Sequence, residues 1–161
     1  MGEIIQIPAL GRPFTLGMFY DARSEKLIPA KSLWTVQKLE DIRRKQSTEK
    51  TSCEILASDS ISDKSQSIKA SAEIKASLLA GLIDLRGSGE FLSDNNTSAN
   101  KTRVSLKYSL SERLEQLDMK HLDKSGIEFP DEFNVNSATH VVVAIEFGLD
   151  AYFIFEMNKE E

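Results

Sequence analysis

The stretch Gln66-Ser67-Ile68-Lys69-Ala70-Ser71-Ala72-Glu73-Ile74-Lys75-Ala76-Ser77-Leu78-Leu79-Ala80 reads in two secondary structures at once. Its even positions, Gln66, Ile68, Ala70, Ala72, Ile74, Ala76, Leu78 and Ala80, are apolar but for the first. Its odd positions, Ser67, Lys69, Ser71, Glu73, Lys75, Ser77 and Leu79, are polar but for the last. That is near-strict period-two alternation, the mark of a two-faced strand. The residue types argue for a helix. Ala, Lys, Glu and Leu are helix formers, and only two residues, Ile68 and Ile74, are β-branched. A helical stripe also runs through Ile61, Ile68, Ala72, Ala76, Leu79 and Ile83.

A segment that stores as a helix and redeploys as an apolar-out, polar-in strand suits a barrel that crosses a membrane. The same alternation describes any strand with one face on a soluble core. Ala counts as apolar in both templates, so it inflates both matches.

At 161 residues the chain is one domain or part of one, long enough to bury a core. It is 40% hydrophobic and 28% charged, an ordinary balance for a soluble protein. A net charge of -5 offers no general attraction to nucleic acid or anionic lipid. The sequence holds no apolar run long enough for a transmembrane helix. Its start, Met1-Gly2-Glu3-Ile4-Ile5-Gln6-Ile7-Pro8, lacks the basic and apolar regions of a signal peptide. The expectation is a soluble cytoplasmic protein, or one exported by a leaderless route to act at a membrane.

Cys53 is the single cysteine, so an internal disulfide and a cysteine zinc site are excluded. With His121 and His140 as the only histidines, a histidine metal centre is not expected. Gly87-Ser88-Gly89 lacks the Lys-Ser/Thr of a phosphate loop and reads as a turn or hinge. These patterns predict no enzyme, no cofactor, no metal and no nucleic-acid partner.

Along the chain, Glu3–Ile7 reads as a short strand ended by Pro8, and Phe14–Tyr20 as a buried apolar stretch. Asp21–Pro29 reads as a loop. Trp34–Lys50 reads as an exposed helix with Glu40–Arg44 and Asp41–Lys45 at pairing distance. Ser60 and Asp63 give a capping cue. Ser93–Thr102 is a polar loop in which Asn95, Asn96 and Asn100 begin sequons, read as a solvated tip. Thr102–Ser111 is the clearest strand, with Val104, Leu106, Tyr108 and Leu110 on one face and Arg103, Ser105, Lys107 and Ser109 on the other. Asp123–Asn136 reads as a loop. Thr139–Phe155 reads as one long strand bent at Gly148, or two strands around a tight turn there. The fold class is α+β: a bent, largely antiparallel sheet flanked by a helical cluster.

Several stretches resemble the N-terminal domain of the stonustoxin and verrucotoxin family, within the membrane-attack-complex/perforin and cholesterol-dependent-cytolysin (MACPF/CDC) superfamily. They are Ile7-Pro8-Ala9-Leu10-Gly11-Arg12-Pro13-Phe14, Leu16-Gly17-Met18, Tyr20-Asp21-Ala22-Arg23 and Leu27-Ile28-Pro29. Gly87-Ser88-Gly89-Glu90-Phe91-Leu92 and Arg103-Val104-Ser105-Leu106-Lys107-Tyr108 follow, then Ala138-Thr139-His140-Val141-Val142 and Ala151-Tyr152-Phe153-Ile154-Phe155. The superfamily signature aligns on Ser137-Ala138-Thr139-His140-Val141, six residues, then Gly148-Leu149. Thr139, His140 and Gly148 are kept. Both aromatics, the first Gly and the last Gly are replaced, so the signature alone argues weakly.

The resemblance implies a pore-forming toxin or immune effector domain that oligomerises and turns helical clusters into membrane-inserted β-hairpins. The chain would be the N-terminal part of one such domain, with about 52–100 the first inserting cluster. A second cluster and a fourth core strand would lie beyond it. Ile68, Ala70, Ala72, Ile74, Ala76 and Leu78 would face lipid. Lys69, Ser71, Glu73, Lys75 and Ser77 would line the pore lumen. Thr139, His140 and Gly148 would be signature and hinge positions, with His140 either a structural hydrogen-bonding group or a pH switch. The implied partners are target membrane lipid and a homo- or hetero-oligomer of related subunits. The alternative is a non-lytic interaction or signalling module that keeps the fold.

Overall fold

The computed structural model describes residues 3–29, 32–56, 60–69, 72, 74, 76, 80, 88–94, 101–123, 125–135 and 138–158. The chain divides into two compact units. The first holds Met1–Arg12, Thr51–Leu110 and Leu149–Glu161, and the second holds Pro13–Lys50 and Ser111–Gly148. Three long strands, β3 (Arg43–Leu56), β4 (Lys101–Leu117) and β6 (Ala144–Asn158), contribute residues to both, with β4 between the other two.

In the second unit, β1 (Phe19–Asp21) and β2 (Lys26–Ile28) form an antiparallel hairpin, and β5 (His140–Val141) joins the other side of β1. The stretch Asp21–Pro29, expected to be a loop, is therefore a turn and a strand. Its polar residues make the turn. The Asp21 carboxylate accepts from Arg23 Nε at 2.8 Å and from Ser24 Oγ at 2.8 Å.

Helix α1 (Val36–Ile42) starts on Thr35, whose hydroxyl accepts from the Lys38 amide at 3.2 Å. The sequence predicts a helix to Lys50, but β3 begins at Arg43. Strand pairing overrides a weak intrinsic preference here. Thr48 and Ser111 join hydroxyls at 2.6 Å, and Arg44 pairs with Asp118 at 3.2 Å rather than with Glu40. Glu40 pairs with Arg43 instead. Glu115, buried on β4, meets Arg113 at 3.0 Å and Arg43 and Lys45 at 3.7 Å each. The Arg113 hydrogen bond, aided by the other two cations, holds its carboxyl below the ordinary range.

The expected bend or turn at Gly148 is absent as a break in the strand, since β6 runs through it. The interruption falls at Val142 and Val143. Val142 bonds β1's side, accepting from Gly17 N at 2.8 Å and donating to Met18 O at 2.9 Å. Val143 O accepts from Leu117 N at 2.8 Å. Consecutive residues thus hand the chain from the small sheet to the large one. The expected loop Asp123–Asn136 contains helix α4 (Pro130–Val135), with Pro in the first helical position, where its missing N–H costs nothing.

The second unit's core is Phe19, Leu33, Trp34, Ile42 and Leu117. Each such side chain contributes roughly 1.5–3 kcal/mol when fully buried. Trp34 keeps its indole N–H satisfied by donating to Gly126 O at 2.9 Å.

In the first unit, α2 (Ile61–Ser67) and α3 (Ser88–Ser93) accompany the strand segments. The core is Leu10, Leu56, Ile68, Ile74, Phe91 and Leu92. Residues 3–9 form no strand, contrary to the expectation for Glu3–Ile7. Ile7 instead packs against this core, while Ile4 is 75% exposed. The α+β class holds, with two antiparallel sheets and a helical cluster.

Gly17 has φ +81°, and a Cβ there would meet Leu39 Cδ2 and Ser32 Oγ at 2.8 Å each. Gly17→Ala is expected to lower stability by about 2 kcal/mol or more, read as a shifted urea midpoint with unchanged slope.

Candidate functional site

The two-way segment begins where α2 ends. Ser60 caps α2 as its spacing predicts: its hydroxyl accepts from the Asp63 amide at 3.1 Å and donates to Asp63 Oδ2 at 2.8 Å. Ile68 closes the helix, its amide bonding Lys64 O at 3.1 Å. Lys69 then takes φ 55°, a left-handed conformation that breaks the helical phase. Ala72, Ile74 and Ala76 are helical again.

That phase break changes which residues are inside. The continuous stripe through Ile61, Ile68, Ala72 and Ala76 does not form. Ile68 is 4% exposed and Ile74 fully buried, but Ala72 and Ala76 are exposed. Of the described members of the proposed lipid-facing set, the structure brings Ile68 and Ile74 together, in the core with Phe91 and Leu92. Of the lumen set, Lys69 is exposed. Ala70, Ser71, Glu73, Lys75, Ser77 and Leu78 lie outside the described residues.

The cluster rests on the polar side of β4. Ser105 is 3% exposed and Lys107 9%, whereas Val104 and Tyr108 on the opposite side are each 37% exposed. Alternation located this strand correctly, but the side it buries is the polar one. Such burial requires every charge to find a partner. Lys107 Nζ donates to Ser67 O at 2.6 Å. Arg103 Nη2 meets Asp94 Oδ2 at 2.7 Å, and its Nε lies 3.1 Å from Glu156 Oε1. Lys64, on α2, is 1% exposed; its Nζ donates to Asp94 O at 2.5 Å and lies 5.1 Å from the Phe91 ring centroid. Phe91 stacks on Tyr152 of β6 with centroids 4.1 Å apart. Ser67 Oγ is buried with no hydrogen-bond partner among the described residues. Such an orphan costs about 1–3 kcal/mol.

Lys64, Phe91, Arg103 and Lys107 escaped sequence reasoning as site residues. The available signal was the pair of cations four apart on one face of a strand, Arg103 and Lys107. A polar-out rule hides it.

The signature residues Thr139 and His140 belong to the second unit. Thr139 N bonds Tyr20 O at 3.0 Å. The Thr139 hydroxyl accepts from Ala22 N at 2.8 Å, donates to Tyr20 O at 3.2 Å, and lies 2.9 Å from His140 Nδ1. This arrangement ties β5 to β1 and supports the structural reading of His140. Gly148 sits inside β6 as the last residue of the second unit.

No described helix is long and apolar enough to cross a membrane, which says nothing of crossing by strands. The sequence family described as "SNTX, MACPF/CDC-like domain" matches residues 4–159. Verrucotoxin subunit beta of Synanceia verrucosa is 42% identical over 98% of this chain, and stonustoxin subunit beta of Synanceia horrida 41% over 98%. Cytolytic toxin-alpha of Scorpaena plumieri is 37% identical over 100% of this chain. The chain spans only 22–23% of these relatives. Among solved structures, one entitled "Stonustoxin structure" superposes with a TM-score of 0.66 at 30% identity, covering 94% of this chain and 19% of that one.

Thr139→Val is expected to cost about 1–3 kcal/mol and to speed exchange of the Ala22 amide, read by NMR. Asp21, held by the Arg23 and Ser24 hydrogen bonds, is lowered from 3.8 to about 2. A depressed carboxyl stabilises the fold above its unfolded value, so this contribution is present at neutral pH and is lost as pH falls from 3.8 through about 2. Asp21→Asn should therefore reduce stability at pH 7, with the difference from the parent chain shrinking as pH falls through about 2.

Proposed function

This chain belongs to the SNTX, MACPF/CDC-like domain family, and from that premise we propose that it is a toxin-like module that associates with related subunits and inserts residues 66–80 into a target membrane as one strand of a β-hairpin. About 52–100 is the inserting cluster in this reading, its first residues being the end of β3. The observation that carries it is that described positions of this alternating sequence are helical: Gln66 and Ser67 close α2, and Ala72, Ile74 and Ala76 are helical again. An ordinary half-buried strand has no reason to be kept in that form.

The change is physically consistent. A strand needs about 9–11 residues to cross the hydrocarbon core, and 66–80 supplies 15. Closing many hairpins into one barrel pairs every backbone group, which lipid requires. Ile68, Ala70, Ala72, Ile74, Ala76 and Leu78 then meet lipid. Lys69, Ser71, Glu73, Lys75 and Ser77 meet water. Four of the eight even positions are Ala, so each strand gains little by insertion, and insertion depends on cooperation between subunits. The names of the relatives include alpha and beta subunits, which supports association between related chains. Gly148, at the end of the second unit within β6, is the residue proposed to flex as the cluster leaves.

A second reading, a non-lytic interaction module with the same fold, is favoured by one feature. Phe153, Phe155 and Met157 of β6 are 51–70% exposed, a row of apolar side chains suited to a protein partner.

Dye release from liposomes separates the readings, using this chain and any longer form of its gene product. Ala72 is exposed in the stored helix, so Ala72→Asp leaves the fold intact, yet it places charge on the proposed lipid face. It is expected to cut dye release at least about tenfold. Ser77→Asp, on the lumen face, is expected to retain release. Equal release by Ala72→Asp and the parent chain would sink the strand assignment. No release by any form of the folded protein would select the interaction module.

A further inference from the structure

We propose that Arg103 and Lys107 of β4 form a two-point clasp that holds the C-terminal end of α2, at Ser67, and Asp94, the residue after α3, to the sheet and sets how readily α2 and α3 leave it. The inference rests on the conversion reading above and adds the residues that regulate it.

The geometry is specific to the two ends. Ser67 is the last residue of α2, and its carbonyl oxygen is one of the helix-end acceptors that have no partner within the helix. Lys107 Nζ fills that need from a different element, at 2.6 Å, and brings positive charge to the negative end of the helix. Asp94 follows the last residue of α3, and Arg103 Nη2 holds its carboxylate at 2.7 Å. Lys64 binds the Asp94 carbonyl at 2.5 Å, so α2 and the residue after α3 are also tied to each other. Both anchor points, Ser67 and Asp94, lie within the cluster of about 52–100 proposed to convert. The anchors stand four residues apart on the same face of one strand, about 13 Å at strand rise.

The cations also have somewhere to go. Asp150 Oδ2 lies 3.7 Å from Lys107 Nζ and Glu156 Oε1 lies 3.1 Å from Arg103 Nε, both on β6. When the segment lifts, each cation keeps a carboxylate on the sheet. Release therefore leaves no uncompensated buried charge, which is the usual obstacle to opening a buried ionic contact. The polar contacts of the clasp that break are those to Ser67 and Asp94, and the Phe91–Tyr152 stack breaks with them. The Ser67 hydroxyl beside the first of them, which has no hydrogen-bond partner among the described residues, gains hydration on exposure. Apolar burial of Ile68, Ile74, Phe91 and Leu92 gives the cluster its cohesion, and the clasp sets where its ends are held.

The test is hydrogen exchange read by mass spectrometry on the whole chain, beside liposome dye release, for Lys107→Met, Arg103→Gln and Asp94→Asn. Each is expected to speed exchange in peptides from 61–94 by about tenfold or more, while peptides from β4, β6 and the second unit stay protected. Because Arg103 and Asp94 act as one contact, the double variant Arg103→Gln/Asp94→Asn should exchange no faster than the faster single one. Unchanged exchange in 61–94, or an equal rise across β4 and β6, overturns the clasp. Asp94 is the more exposed partner, so Asp94→Asn carries the test if Lys107→Met fails to fold. The two ideas fail separately. Faster exchange without dye release from any form keeps the clasp and removes the pore reading. Dye release with unchanged exchange does the reverse.

Discussion

The first unit depends on β4 burying its polar side. Ser105 and Lys107 are covered, while Val104 and Tyr108 on the other side are partly exposed. This inverts the usual arrangement of a strand on a core. It is tolerated because the charges are matched: Lys107 with a helix-end carbonyl and Asp150, Arg103 with Asp94 and Glu156. A helical cluster held this way is anchored partly by directional contacts that can be exchanged for others on the sheet. A purely apolar contact would have to be lost outright and its surface exposed to water.

The second unit is built differently. Its core of Phe19, Leu33, Trp34, Ile42 and Leu117 is apolar, and its polar contacts close turns and strand ends. Thr139 serves three groups with one hydroxyl, and Val142 and Val143 divide their hydrogen bonds between two sheets. Such a junction allows little substitution, since each group there already has a defined donor or acceptor. Retention of Thr139 and His140 in a chain that has lost the other signature aromatics and glycines fits this hydrogen-bonding duty.

The two units thus differ in kind. One is built on an apolar core. The other carries a segment with helix-forming residues, strand-like alternation, a left-handed break at Lys69 and a buried Ser67 hydroxyl without a hydrogen-bond partner among the described residues. These features compete rather than agree, and such local conflict is what the proposed conversion calls for.

Much of this was legible in the residues. The strand at Thr102–Ser111, the Ser60 cap and the α+β class follow from local chemistry: alternation, a short side-chain acceptor, and composition. The family followed from residue identities along the chain. The ambiguity of 66–80 was legible too, as an ambiguity. What sequence could not decide were outcomes set by partners distant in the chain. Arg43–Lys50 has a helical composition, yet it is strand because Ser111, Glu115 and Asp118 lie beside it. Ile74 is buried and Ala72 exposed beyond Lys69, whose left-handed conformation ends the phase of α2. The polar side of β4 faces inward because Ser67 and Asp94 arrive there to receive its cations. Local pattern determines what a segment can form; long-range pairing of charge and hydrogen bonds, absent from any window of sequence, decides which form it takes and which face it buries.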